Sequence, residues 1–182
     1  MTTWLTSDSH YGHAAVIGYS NRPFKDVNEM DQMMIRSWND RVRPGDLVYH
    51  LGDFSFHKDQ AKTVQILRRL TGNKYLIWGN HDKRLRKNQD FLNEWVWCRD
   101  LEKIEIQGQK IVLCHYAMLV WDGSHRGNWM LHGHSHGSLK DDPGALRLDV
   151  GVDPMGYAPV SFEEIKKIMS KKKFEPVDHH GE

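Results

Sequence analysis

The chain has 182 residues, 39% of them apolar or aromatic and 27% charged, which excludes a disordered composition and fits one domain with a sizeable core. A formal net charge of +1 argues neither for nor against an anionic partner, so any affinity for phosphate must be local. Two cysteines, Cys98 and Cys114, make no disulfide framework and lead us to expect a cytoplasmic protein; neither a signal peptide in MTTWLTSDSH nor a run of the roughly 18–20 apolar residues that span a bilayer is expected.

Short apolar runs alternate with helical patterns. Thr3–Ser7 reads as a first strand. Asp26 and Glu29 are spaced as a capping box, followed at helical spacing by Met30, Met33, Met34, Trp38 and Val42, expected to face the core. Leu47–Leu51 is the next strand, and Ala61, Val64, Leu67 and Leu70 mark a helix face that Gly72 closes. Lys74–Trp78 is a third strand. Leu101–Ile106 and Lys110–Leu113, either side of Gln107–Gly108–Gln109, predict a hairpin. Trp129–His132 and Leu146–Val150 are further strands, and Ser161 with Glu164 caps a last helix through Phe162, Ile165, Ile168 and Met169. The domain is expected over residues 1–170, with 171–182 a loose polar tail that holds His179 and His180.

The residues just past the strands are more informative. The first strand runs into Asp8–Ser9–His10, the second into Gly52–Asp53, the third into Gly79–Asn80–His81–Asp82. Ile111–Cys114 runs into His115, and Trp129–His132 into Gly133–His134–Ser135–His136. Functional crevices of open α/β sheets lie at the carboxyl ends of strands, so these groups are expected on one rim. Seven oxygen and imidazole ligands without a thiolate are too many for one tetrahedral ion and suit two divalent ions sharing a carboxylate. Two such ions, less two aspartates and a bridging hydroxide, leave a positive charge that attracts an oxyanion, a known arrangement for phosphoryl displacement.

The order D-x-H, G-D, G-N-H-D, H, G-H-x-H from Asp8 to His136 resembles the calcineurin-like metallophosphoesterase superfamily. The resemblance implies an α-β-β-α sandwich, two mixed sheets face to face with helices outside. It places Asp8, His10, Asp53 and His136 on a first metal, with Asp53 bridging, and Asn80, His115 and His134 on a second. The metals are expected to be Mn, with Fe, Ni or Zn as other choices. His81 resembles the general acid that protonates the leaving oxygen after metal-hydroxide attack, and Asp82 the carboxylate that orients it. Gly52–Asp53–Phe54–Ser55–Phe56 lacks the Asp–Arg of the protein phosphatase and diadenosine polyphosphatase branches, and the lipid A hydrolases have Arg where His81 stands. The expected activity is therefore a phosphodiesterase acting on a nucleotide, a nucleic-acid end or another small diester. A phosphomonoesterase or a non-catalytic metal-binding scaffold is the alternative. The His-x-His-x-Asp-His string of β-lactamase-fold hydrolases is absent.

Around this rim His13, Asn21 and Arg22 are expected to reach substrate oxygens. Arg126, in the loop Tyr116–Asn128, is expected to fork onto a phosphate. His50 and His132 fit either the core or a place behind the ligands, and the lysines of 166–173 a solvated face, with nucleic-acid binding as the alternative. No membrane partner is expected.

Overall fold

The structure, a computed structural model, describes residues 1–177, so His179 and His180 lie outside the described residues. Its core is two mixed sheets. The first has the order β4-β3-β2-β1-β9, built from β1 (Thr3–Thr6), β2 (Leu47–His50), β3 (Asn73–Ile77), β4 (Trp97–Arg99) and β9 (Val160–Ser161). Its first four strands are parallel and β9 is antiparallel. The second has the order β5-β6-β7-β8, from β5 (Leu101–Ile106), β6 (Gln109–Cys114), β7 (Trp129–His132) and β8 (Arg147–Asp149). The expected hairpin is β5–β6, closed by Ile106 opposite Gln109, and β7 and β8 add in parallel.

Side-chain alternation sorts the layers. Leu5, Leu51, Ile77, Ile111, Leu113 and Leu131 fill the space between the sheets. Trp4, Val48 and Leu76 point the other way, against Met30, Met34 and Trp38 of α2 (Val27–Arg41) and Val64 and Leu67 of α3 (Gln60–Arg69). Met33, expected in the core, is exposed instead, because the spacing that buries Met30 and Met34 leaves it on the flank. Asp26 caps α2 as expected, but Glu29 reaches back to the Lys25 N–H, one residue short of a closed box. On the outer face of the second sheet Val112, Cys114 and Met130 are covered by Met118 and Trp121 of the loop after β6. α5 (Phe162–Met169) has its full capping box and packs Phe162, Ile165 and Met169 into the inter-sheet core.

The stretch after α5 is not loose as far as Glu175: Lys173 N–H donates to Pro143 O (2.9 Å) and Glu175 N–H to Gly144 O (2.8 Å). Among the described residues the short elements carry no periodic signal: α1 (Ala14–Tyr19), the 3-10 helices Asp82–Lys87 and Ser124–Arg126, α4 (Gln89–Leu92), β4 and β9. No helix among the described residues is long and apolar enough to cross a membrane.

Candidate metal centre

Because β1, β2, β3, β6 and β7 run the same way within their sheets, the groups at their carboxyl ends meet at one end of the sandwich. Glycine makes the approach possible. A Cβ on Gly79 would lie 2.1 Å from Asp53 Oδ1, and one on Gly133 would lie 2.0 Å from Ser7 Oγ and 2.4 Å from Asp8 Oδ2. Asp8, His10, Asp53, His134 and His136 all hold positive φ, between 49° and 69°. Side chains other than glycine rarely adopt this backbone, and such strain concentrates at functional sites.

Two donor groups result. Asp8, His10 and His136 bring one ligand atom each to within 4.8 Å of one another, as do Asp53, His115 and His134. Asp53 Oδ2 stands between them, 3.6 Å from His10 Nε2 and 3.5 Å from His115 Nε2. Asn80 Oδ1 joins the second group, 2.9 Å from His115 Nε2 and 3.1 Å from His134 Nδ1. The seven residues expected to bind metal are thus brought together.

Their polar chemistry fits a cation. His115 Nδ1 lies 2.7 Å from Leu51 O, a partner that can only accept, so Nδ1 donates to it and the ring turns Nε2 towards Asn80 Oδ1 (2.9 Å) and Asp53 Oδ2 (3.5 Å). His136 Nδ1 likewise donates to Asp153 Oδ2 (2.7 Å), which turns its Nε2 towards Asp8 Oδ1 at 3.9 Å. Asp8 Oδ1 and His10 Nε2 are buried without a hydrogen-bond partner. Buried acceptors aimed at one another cost free energy unless a cation lies between them. Burial pushes His10 down to about 2 and raises Asp8. Burial opposes ionisation of Asp53, but His115 and the His81 N–H outweigh it and hold the carboxyl at about 2.

The remaining expected residues divide. His81 and His13 line a cleft of about 570 Å³ beside the first group, together with Tyr19, Ser20 and Phe56. His81 is half-exposed, its N–H donates to Asp53 Oδ1 (2.9 Å) and its Nε2 lies 4.0 Å from Asp53 Oδ2. His13 Nδ1 is 3.1 Å from His10 Nδ1. Asp82, expected to orient His81, is fully buried and accepts the N–H groups of Asp53, Phe54 and Gly79 at 2.8–3.0 Å. It therefore ties the β2 and β3 turns together and leaves the imidazole alone.

Arg22 does not reach the cleft. Its guanidinium is buried, binds both oxygens of Asp153 at 2.9 Å and donates to the carbonyls of Asp8 and Ser9. Asn21 is exposed at φ 49°, and Ser20 takes its place in the cleft wall. Arg126 sits at the wrong end of the sheet. Parallel β6 and β7 force their connecting loop back to the start of β7, where Gly127 O accepts the Gln109 amide (3.1 Å). Roughly 16 Å of extended chain separates that point from His134.

Two residues were missed. Asp153 stands just past β8 in Gly151–Val152–Asp153, the same glycine-and-carboxylate signal displaced by one residue. Phe56 stacks under His13 (centroids 4.0 Å apart, 6°) and touches the rings of His10 and His81 (4.8 and 4.6 Å). No spacing in the sequence marks it. His50 and His132 are buried behind the rim, His50 Nε2 2.8 Å from Ser9 Oγ.

Residues 1–152 match the calcineurin-like phosphoesterase superfamily domain, and the chain belongs to that superfamily. An uncharacterized protein of Methanocaldococcus jannaschii is 36% identical over 179 residues, covering 93% of this chain and 92% of its own. The gene 66 protein of Mycobacterium phage L5 is 27% identical, covering 92% and 94%. A solved structure from Aquifex aeolicus, of unknown function, superposes with a TM-score of 0.70 at 24% identity, covering 92% of this chain and 98% of that one. One described as a novel archaeal phosphodiesterase gives 0.52 at 18% identity, covering 83% and 84%, and shares the fold.

Proposed function

We propose that the chain is a dinuclear-metal-dependent phosphoesterase that prefers diesters, of the nucleotide type or another small phosphodiester. One observation carries the reading: Asp53 Oδ2 lies between two groups of converging ligand atoms, two of them, Asp8 Oδ1 and His10 Nε2, buried without a partner, an arrangement that suits two cations. Asp8, His10, Asp53 and His136 would hold one ion, and Asp53, Asn80, His115 and His134 the other. Bound divalent ions, Mn²⁺ first and Fe, Ni or Zn next, would supply Lewis acidity at the phosphoryl oxygens and an acidified water.

The protein's own groups supply the rest. His81 projects into the cleft from a backbone fixed by Asp53 and Asp82, placed to give its proton to a departing oxygen. Phe56 and His13 wall that side. With Arg22 and Arg126 elsewhere, the residues lining the cleft include no lysine or arginine. A monoester dianion would bring a second charge with no side-chain cation to meet it, whereas a diester brings one.

The test removes metal with EDTA, restores Mn²⁺, Fe²⁺, Ni²⁺ or Zn²⁺ singly, and compares bis-p-nitrophenyl phosphate with p-nitrophenyl phosphate. The diester should turn over faster. Silence on both with two ions bound would leave a metal-binding scaffold. For His81→Ala we expect a loss of about 10²–10⁴-fold in kcat/KM on a diester with an alkyl leaving group, and far less with p-nitrophenolate, which leaves without a proton. Equal losses on the two substrates would remove His81 from the acid role.

A further inference from the structure

Across Asn80 from the cleft lies a second cavity, of about 400 Å³, whose walls include Asn80, His115, Tyr116, Lys83, Arg86 and Asp100. It shares Asn80 and His115 with the second donor group, so a ligand in it would abut that group. The two sides differ in charge. The 3-10 helix leaving His81 reads DKRLRK: Lys83, Arg84, Arg86 and Lys87 are exposed, and its one carboxylate, Asp82, is buried. Of these four, Lys83 and Arg86 line the second cavity, whereas the residues lining the cleft beside the first group include no lysine or arginine.

Arg86 lies 4.8 Å over the Trp78 ring, which fixes its direction, and pairs with Asp100, whose side chain is 75% exposed. An exposed pair of this kind contributes only about 0–1 kcal/mol, so a phosphate can displace it. Lys83 makes no ion pair among the described residues. Tyr116, 47% exposed, stands edge-on to His115 and His134 (5.1 and 4.7 Å) and presents an aromatic ring on the same rim. A cationic track beside an exposed ring is the chemistry that holds a single nucleic-acid strand: cations for successive phosphates, a ring for a base.

We propose that Lys83, Arg86 and Tyr116 bind the nucleotide next to the scissile phosphate, and that the substrate is a single-stranded polynucleotide. A cyclic nucleotide or a lone diester has no second phosphate to place there. The scissile position rests on the phosphoesterase reading above; the strand-binding face does not.

Fluorescence anisotropy of a fluorescein-labelled strand of about 12 nucleotides, within the span one binding groove covers, tests the face on the full chain in EDTA. DNA and RNA strands of one sequence separate the two sources of the ligand. Each phosphate neutralised on a single strand contributes about −0.7 to the slope of log affinity against log salt. The double substitution K83Q/R86Q should therefore weaken binding and make the slope shallower by about 1.4. Tyr116→Ala should weaken binding with the slope unchanged, and K166Q/K167Q, on the exposed face of α5, should alter neither. Absence of binding by both strands, or an equal loss from K166Q/K167Q, overturns the proposal. Turnover of bis-p-nitrophenyl phosphate without strand binding would leave the phosphoesterase reading standing and remove this one; strand binding that K83Q/R86Q weakens, without turnover, would do the reverse.

Discussion

In the group of Asp8, His10 and His136 the inward-facing atoms are braced from behind by side chains far away in sequence. His136 is held by Asp153, Asp153 by both arms of the Arg22 fork, and the same guanidinium grips the carbonyls of Asp8 and Ser9. In the group of Asn80, His115 and His134 the His115 ring is braced by the Leu51 carbonyl, whereas His134 is tied by its backbone N–H to Asp8 Oδ2 and not through its ring. His134 is exposed, and Asn80 Oδ1 faces other donors of its own group. The first group is thus the more preorganised of the two. On the proposed reading the first ion should be held more tightly and the second should exchange more readily.

Asp53→Asn should break the comparison most severely, because the Asp53 Oδ2 atom faces both groups and, on the proposed reading, is shared by both ions. We expect a loss on the order of 10²–10³-fold in kcat/KM, the scale of removing one preorganised electrostatic group, and a fall in bound metal from two ions to one by elemental analysis. Retention of both ions would mean that Asp53 is not shared. Arg22→Met comes next and tests the brace alone. Leaving the buried Asp153 carboxylate without its guanidinium should cost about 3–5 kcal/mol in urea unfolding of the EDTA-treated chain. A cost below about 1 kcal/mol, the range of surface pairs, would show that the first group is no more preorganised than the second.

How much of this is legible in the sequence depends on the range of the interaction. Thr3–Ser7, Leu47–Leu51, Lys74–Trp78 and Trp129–His132 can be read because each strand's apolar run and its polar terminus are contiguous. Parallel pairing then carries those termini to one end, which makes the convergence of seven donors legible too. β4 and β9 escape because three- and two-residue strands carry no period. Arg22 escapes for a different reason. An arginine is ordinarily exposed, and nothing near it announces a partner 131 residues away. Asp82 shows the opposite hazard: its neighbour in sequence is His81, yet its hydrogen bonds go to the backbone of Asp53, Phe54 and Gly79.

The smallest effect expected is also the sharpest on the brace. Asp153→Asn keeps the shape behind His136 but removes the charge, and weakening the carboxylate behind a ligating histidine typically lowers metal affinity about 10–100-fold. The first ion alone should be affected, as competition with a chromophoric chelator would report. The metal-free chain gives an independent sign. Burial pulls His136 down, but Asp153 and Asp8 outweigh it and raise its pKa above 6.5; burial opposes the charge on Asp153, but His136 and Arg22 outweigh it and hold that carboxyl below 3.8. A raised histidine stabilises the fold below its unfolded pKa and loses that contribution as pH rises through its folded one; a depressed carboxylate stabilises above its unfolded pKa. The charged pair is therefore present throughout the window between 3.8 and 6.5 and fades above it. In EDTA the stability gap between wild type and Asp153→Asn should be widest in that window and narrow towards alkaline pH. A gap that stays flat would mean that Asp153 braces the ring by its hydrogen bond and not by its charge, and the contrast between the two donor groups would then rest on Arg22.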